Sequence, residues 1–314
     1  MDSPLVSICI PTYERIGFFK KLLSNIAEQS FKDYEIIITD NSISNDIEEY
    51  IAVLGNPTIN YIRNNPAISM GENWNKCFSL AKGQWLKMMH DDDYFSSPYS
   101  LQKFVDAAEG KKAGIIFGKL CFNNENGDRR EFFLSQNTVQ RIATNPVDLI
   151  GTGNKMGNPC NTLIHRDVIQ PFNPELRWII DFECYIRMLS SGASLYYIDE
   201  VLVEIFYHAG QVTTEVFLNK AVEIPENDYL LHTYYPQNMS WFFSFDYFWR
   251  KIRNLGIRSI DAYRSFLPAD STPKPAIMRI ISFQGYCPPR LLRVGIASKV
   301  LSWLCWLSLK VFPA

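Results

Sequence analysis

Three adjacent carboxylates, Asp91-Asp92-Asp93, follow closely on the mostly apolar run Trp85-Leu86-Lys87-Met88-Met89, with His90 at the junction. The apolar run reads as a buried strand, and the carboxylates sit where it ends. Three like charges in a row repel one another and must stay solvated or meet a cation. At the carboxyl end of a strand in an open α/β sheet, the natural cation is a metal holding a phosphorylated ligand. A solvated acidic turn is the plainer reading of the same residues. Other polar side chains close earlier runs: Thr12 and Glu14, then Asp40 and Asn41, then Arg63.

The elements that must position these residues alternate. Residues 5–10 are apolar and β-branched, as a central strand covered on both faces would be. Phe19, Leu22, Leu23 and Ile26 then recur at helical spacing within 18–29. Residues 34–40 read as a second buried strand, 46–54 as a helix, 59–62 as a third strand and 71–81 as a helix. The strand at Trp85 follows. This alternation predicts a doubly wound, mostly parallel sheet flanked by helices, with ligands at the carboxyl ends of its strands. No GxGxxG follows the first strand and no GxxxxGK[ST] occurs, which argues against a dinucleotide dehydrogenase and a P-loop NTPase. Without a glycine nest for phosphates, a divalent metal is the expected counter-charge.

The second half is less regular. Residues 113–118 and 162–165 read as strands, 123–128 as a hairpin tip, and the Gly- and Asn-rich stretch 151–161 as a long loop facing the acceptor. A helix over 181–190 opens with Asp181 and Glu183, and 194–206 reads as a strand or hairpin ending near His208. After about residue 216 the character changes. Residues 239–249 hold seven aromatics in eleven positions, and 271–314 hold six Lys/Arg and no acid. The uncharged run 300–309 carries Trp303 and Trp306 and is about half the ~20 residues a spanning helix needs. Its basic flanks fit a helix lying in the interface of an anionic leaflet; a core helix or an oligomer contact is the alternative.

Composition sets the outer bounds. The chain has 314 residues, 47% hydrophobic and 20% charged, which suits a packed domain with an appendage and not a disordered chain. A formal net charge of -2 gives no global basic field for nucleic acid. The seven cysteines form no CxxC pair, so neither a zinc ribbon nor a disulfide framework is expected, and a reducing cytoplasm fits. Met1-Asp2-Ser3-Pro4 runs straight into a strand, with no signal-peptide pattern.

Taken together, residues 4–215 resemble a family 2 glycosyltransferase with the GT-A fold, of the bacterial polysaccharide-assembly (O-antigen) kind. The resemblance rests on Val6-Ser7-Ile8-Cys9-Ile10-Pro11-Thr12-Tyr13-Glu14-Arg15 and Glu35-Ile36-Ile37-Ile38-Thr39-Asp40-Asn41-Ser42. It continues through Asn73 in Gly71-Glu72-Asn73-Trp74-Asn75, the stretch from Gly83 to Asp93, Asp181 ahead of a helix, and His208. It implies a GT-A domain over 1–215 and a C-terminal helical region over 216–314. Pro11, Thr12, Tyr13, Glu14, Asp40, Asn41, Arg63 and Asn73 would line the nucleotide-sugar donor. The family's DxD motif binds a divalent metal (Mn²⁺ or Mg²⁺) with the donor's ribose and diphosphate. Here His90 stands where the first Asp is usual, so Asp91 is expected near the ribose and Asp92, with Asp93 and His208, at the metal. Asp181 matches the catalytic base, with Glu183 as fallback, although Ile180 stands where an acidic pair is common.

The implied reaction is inverting transfer of a sugar to a saccharide or lipid-linked oligosaccharide, at the cytoplasmic face of the inner membrane. Metal held by hard carboxylate oxygens stabilises the leaving diphosphate, and one carboxylate deprotonates the acceptor hydroxyl. Two other classes use similar sheets. A sugar-nucleotide nucleotidyltransferase would show a Gly-rich basic loop where Pro11-Thr12-Tyr13-Glu14 stands, and would release pyrophosphate. A non-catalytic nucleotide-sugar-binding protein would bind donor without turnover, and need not keep its carboxylates.

Overall fold

A computed structural model describes residues 3–208, 210–235 and 241–311. Met1-Asp2 and the first two residues of the aromatic-rich run, Met239-Ser240, lie outside the described residues. The chain divides into two compact units, 1–146 with 155–209, and 147–154 with 210–314.

The first unit is an α/β domain. In chain order it holds β1 (Val6–Thr12), α1 (Ile16–Ala27), β2 (Tyr34–Asp40), α2 (Asp46–Leu54), β3 (Ile59–Arg63), α3 (Met70–Leu80) and β4 (Trp85–Met88). Then come β5 (Tyr94–Phe95), α4 (Ser100–Ala108), β6 (Gly114–Gly118), β7 (Leu120–Asn124), β8 (Arg130–Phe132) and α5 (Gln136–Thr144). After α6 (Leu149–Thr152), which belongs to the second unit, follow β9 (Thr162–His165), α7 (Ile180–Ser190), β10 (Ser194–Ile198) and β11 (Val203–Tyr207).

Seven strands form one sheet in the order β10-β6-β9-β4-β1-β2-β3. Its pairings are parallel except those of β9, which runs against both β4 and β6. The chain leaves β1 for β2 on one side and reaches β4 on the other, so strand order reverses at β1. That reversal opens a crevice beyond the carboxyl ends of β1 and β4, the usual ligand position in such sheets. β1 is buried along its whole length, as its largely apolar run requires. Val6, Ile8 and Ile10 share one core cluster with Phe19, Leu22, Leu23 and Ile26 of α1, which fall on one helix face at the expected spacing. Gly83 lets the turn before β4 close onto β1, because a Cβ there would lie 2.5 Å from the Ser7 backbone nitrogen. The Ser7 hydroxyl accepts the Lys82 and Gly83 amides and so fixes the register of β4.

Two expectations change. Residues 194–206 do not form a hairpin: β10 pairs with β6 in the large sheet, while β11 joins β5, β7 and β8 in a four-stranded one. The stretch 151–161 is not an open loop either. Its start completes α6, and its end is a buried 3₁₀ turn, Pro159–Asn161, in which Asn161 Nδ2 donates to the Gly118 and Met156 carbonyls. Its Gly and Asn residues serve backbone geometry: Gly157, for instance, has φ of +83°.

The second unit continues with α8 (Val212–Val216), α9 (Lys220–Tyr234), α10 (Phe242–Asn254), α11 (Ile260–Arg264), α12 (Pro275–Tyr286), α13 (Pro289–Arg293) and α14 (Gly295–Val311). The aromatic run becomes α10, which packs against α6, α12 and α14 and buries Phe245, Phe248 and Trp249. No helix among the described residues is long and apolar enough to cross a membrane.

Candidate active site

The crevice at the strand reversal gathers five polar side chains. Thr12, the last residue of β1, donates its hydroxyl to Asp91 Oδ2 at 2.9 Å. Asp91 and Asp92 lie just past β4 and are buried, and both face Arg15 at the mouth of α1. The Arg15 Nη1 donates to Asp92 Oδ2 at 2.7 Å, and Nη2 lies 2.5 Å from Asp91 Oδ1. That second contact has no hydrogen-bond alignment, so the buried Asp91 Oδ1 has charge nearby but no donor aimed at it. His208, just beyond β11, brings Nε2 within 3.0 Å of Asp92 Oδ2 and stacks on Phe18 of α1 with ring centroids 4.6 Å apart. Burial, with Asp92 alongside, pushes the Asp91 carboxyl up to about 6, against the opposing pull of Arg15 and Thr12.

Asp93 takes different partners. Its carboxylate accepts Asn158 Nδ2 at 2.8 Å and the Phe206 amide at 3.0 Å, tying the turn after β4 to the 151–161 stretch and to β11. His90 Nδ1 lies 3.6 Å from Asp93 Oδ2, and its ring stacks on Trp74. Burial pulls the His90 imidazole down, but Asp93, Asp92 and Asp91 outweigh that and raise it. His90, Asp93 and Cys160 could also converge on an ion, their ligand atoms lying within 4.8 Å of one another. The three adjacent carboxylates therefore split: Asp91 and Asp92 look to Arg15, and Asp93 holds the surrounding chain.

The residues after β1, β2 and β3 form a frame beside this cluster. Glu14 has a left-handed backbone (φ 66°), a rare conformation for a non-glycine. Its carboxylate accepts the Ile43 and Ser44 amides and the Ser44 hydroxyl, which holds it below the usual carboxylate range. Arg63 donates to the Ser42, Ile43 and Ser44 carbonyls and pairs with Glu48, so its guanidinium braces the same loop. Buried Asp40 accepts the Ser42 amide at 2.7 Å and the Tyr61 hydroxyl at 2.8 Å. Asn41, Asn64 and Asn73 form a side-chain chain, with Asn64 Nδ2 donating to both neighbours and Asn73 Nδ2 donating to the Thr39 carbonyl. Pro11 is buried within β1, and Tyr13 is half exposed at its end.

Asp181 sits in the first turn of α7, with Oδ1 accepting the Phe182 amide. Its charge reaches inward to Tyr185, whose hydroxyl burial already pushes up. Glu183 is fully buried and held by Arg187 through several short contacts. That pairing engages both of its carboxylate oxygens. Arg15 is the residue of this cluster that the sequence reading missed. The signal was charge balance: a lone cation after the first strand, with three carboxylates due at the neighbouring strand end.

Comparison with known proteins places the chain in a family. Residues 7–171 match the model of glycosyl transferase family 2. The chain is similar to abequosyltransferase RfbV of Salmonella typhimurium, 36% identical over 131 residues, which is 39% of this chain and 37% of that one. It is also similar to the GalNAc(5)-diNAcBac-PP-undecaprenol beta-1,3-glucosyltransferase of Campylobacter jejuni, 30% identical over 133 residues, 41% of this chain and 42% of that protein. Matches at 30% identity or more cover only 35% to 46% of those relatives' lengths. Among solved structures, the mannosyltransferase PcManGT from Pyrobaculum calidifontis, in complex with GDP-Man and Mn²⁺, superposes with a TM-score of 0.58 at 11% identity. That superposition covers 98% of this chain and 88% of that one.

Proposed function

The chain belongs to glycosyl transferase family 2, and from that premise we propose that it moves a sugar from a nucleotide diphosphate to a saccharide acceptor, with inversion and with a divalent cation. The observation that carries this reading is the buried pair Asp91 and Asp92 at the strand reversal, already attended by a cation, Arg15. The donor set fits a divalent ion: two carboxylates, one with a buried oxygen lacking an aligned donor, and an imidazole 3.0 Å from the second. Asp92, Asp91 and His208 would hold the ion. When bound, it supplies charge neutralisation to the departing diphosphate.

The chain's own residues do the rest. Thr12 holds Asp91 in place by its hydroxyl, and the Phe18 ring fixes the face of His208. Tyr13, Glu14 and the braced 42–44 loop form one wall of the nucleotide pocket, and Asp40 at the end of β2 offers its remaining lone pairs to the base. Asp181 takes the proton from the acceptor hydroxyl as that oxygen attacks the anomeric carbon opposite the diphosphate. Arg187, paired with Glu183 on the same helix, donates to the Gln170 side chain and the Pro171 carbonyl and so ties α7 to residues 170–171. A lipid-linked oligosaccharide is the acceptor class we propose, since one relative is named for a diphospho-undecaprenol substrate. The basic, Trp-bearing α14 supports a position at the cytoplasmic membrane face.

The test is a thermal-shift panel of UDP, GDP, CDP, dTDP and CMP, each with and without Mn²⁺ or Mg²⁺, beside Asp92→Ala. A ligand binding only the native state raises the melting temperature by mass action. One diphosphate should stabilise only with metal, and Asp92→Ala should lose the effect. With the donor so narrowed, Asp181→Asn should cut turnover by roughly 10²–10⁴-fold while donor binding persists. A shift indifferent to metal and to Asp92 would remove the proposed mechanism.

A further inference from the structure

Arg15 has a position that its local sequence does not favour. It is the N-cap residue of α1, where the helix dipole disfavours a cation, and its side chain makes no capping bond there. Instead the guanidinium spans Asp91 and Asp92 and comes within 3.5 Å of His208 Nε2. The carboxylates it bridges are almost wholly enclosed, at 0% and 5% side-chain exposure, whereas Arg15 itself is 31% exposed. The turn that presents it is built rather than loose. Glu14 is held in its left-handed conformation by its amide on the Ser42 hydroxyl and by its carboxylate on residues 43 and 44.

A guanidinium and a divalent ion cannot share these two carboxylates, because like charges at contact distance in a poorly solvated site repel strongly. The carboxylates are fixed by Thr12, His208 and burial, and Arg15 is the member with a way out into the crevice. A guanidinium released there meets the place a diphosphate must occupy, and its planar fork matches phosphate oxygens in pairs. We propose that Arg15 is the resident counter-ion of the Asp91–Asp92 pair. It yields that place to the divalent cation and moves onto the donor's diphosphate. The inference rests on the metal-dependent reading above and adds a direction: Arg15 opposes metal binding when no diphosphate is present and supports diphosphate binding once metal is there.

The full chain is titrated with Mn²⁺ alone, followed by electron paramagnetic resonance. It is then titrated with inorganic pyrophosphate at saturating Mn²⁺, followed by calorimetry. Arg15→Gln should bind Mn²⁺ alone about tenfold more tightly and pyrophosphate about tenfold more weakly. Arg15→Lys keeps the charge without the fork, so it should leave Mn²⁺ affinity near wild type and still weaken pyrophosphate. Melting temperatures confirm that each variant is folded, and Arg15→Lys carries the test if Arg15→Gln is not. A folded Arg15→Gln that weakens both ligands, or changes neither, overturns the exchange and leaves Arg15 as a structural ion pair. Asp92→Asn separates the two readings: if it binds Mn²⁺ as wild type does, the metal site itself fails; if it loses Mn²⁺ and Arg15→Gln gains none, only the exchange fails.

Discussion

The two units of this chain bury charge in opposite ways. In the first, like charges converge: Asp91 and Asp92 meet at one strand end and share a single guanidinium. In the second, three buried carboxylates each have partners of their own. Glu223 of α9 takes Lys251 of α10, and Asp246 of α10 takes Arg250 of its own helix and Lys299 of α14. Asp228 of α9 accepts the Tyr263 and Ser271 hydroxyls. Separated charges, each locally satisfied, tie one helix to the next and serve the fold. Crowded charges of one sign cost stability, and a fold tolerates that cost where it needs a cation.

This contrast can be broken by removing one charge from each unit. Lys251 lies mostly buried, and burial lowers its ammonium while Glu223 holds it charged. Lys251→Met strands Glu223, which is fully buried, and should cost about 3 kcal/mol of stability. Asp91→Asn should do the reverse. The Asp91 carboxyl is raised to about 6 in the folded chain, so the native state holds its proton more tightly than the unfolded one. Its stabilising contribution is complete at low pH and is lost as pH climbs through about 6. Asparagine removes that penalty, so Asp91→Asn should be more stable than wild type at pH 7 by on the order of 2 kcal/mol, the gain fading below about pH 4. Urea denaturation at both pH values checks each variant. Destabilisation by Asp91→Asn at pH 7 would place the cluster with the structural pairs.

Much of the first unit was legible because its signals are local. The mostly apolar runs at β1, β2 and β4 need both faces covered, and the spacing of Phe19, Leu22 and Ile26 needs a helix. The carboxylates at the end of β4 and His208 were found as residues, but their partners were not. Arg15 meets Asp92 across 77 positions, and His208 meets it across 116. Such contacts depend on which strands neighbour one another, and no window of sequence carries that. The stretch 151–161 was misread for a related reason: Asn158 and Asn161 look like loop residues until Asp93 and the Gly118 carbonyl appear beside them. The same holds for 194–206, whose two strands separate because each finds a better neighbour elsewhere.

The apolar surfaces differ between the units as well, and this gives a second, smaller test. α1 turns Phe19, Leu22, Leu23 and Ile26 inward. α14 turns small polar residues inward, with Ser298, Ser302 and Cys305 buried, and presents Ile296, Val300, Trp303, Leu304 and Val311 to solvent. Arg290, Arg293 and Lys310 are exposed around that face. The proposed membrane position would bring this face onto an anionic bilayer. Sedimentation with vesicles containing phosphatidylglycerol should show binding. The double variant Val300→Ser, Trp303→Ser should lower it by about tenfold without changing the melting temperature. Equal binding by wild type and variant removes the membrane assignment, and loss of a dimer by the variant instead reassigns the face to self-association.

Lys87 sharpens the comparison from inside the first unit. It is a fully buried cation on β4, below the carboxylates, yet it does not pair with Asp91 or Asp92. Its ammonium donates to the Cys160 and Thr162 carbonyls and lies over the Phe104 ring. Burial brings it down to about 7, with Cys160 and Asp93 resisting. It therefore behaves as the structural charges of the second unit do, holding the 159–162 segment against β4. Because the folded chain releases this proton before the unfolded chain does, the penalty for burying it is complete below about pH 7. Stability contributed by this group rises with pH between about 7 and 10. Wild type should gain up to about 1 kcal/mol per pH unit across that window relative to Lys87→Met, in which the titrating group is gone. Parallel pH profiles for the two proteins would mean that Lys87 stays charged in the core, and that its carbonyl partners meet the whole cost of desolvation.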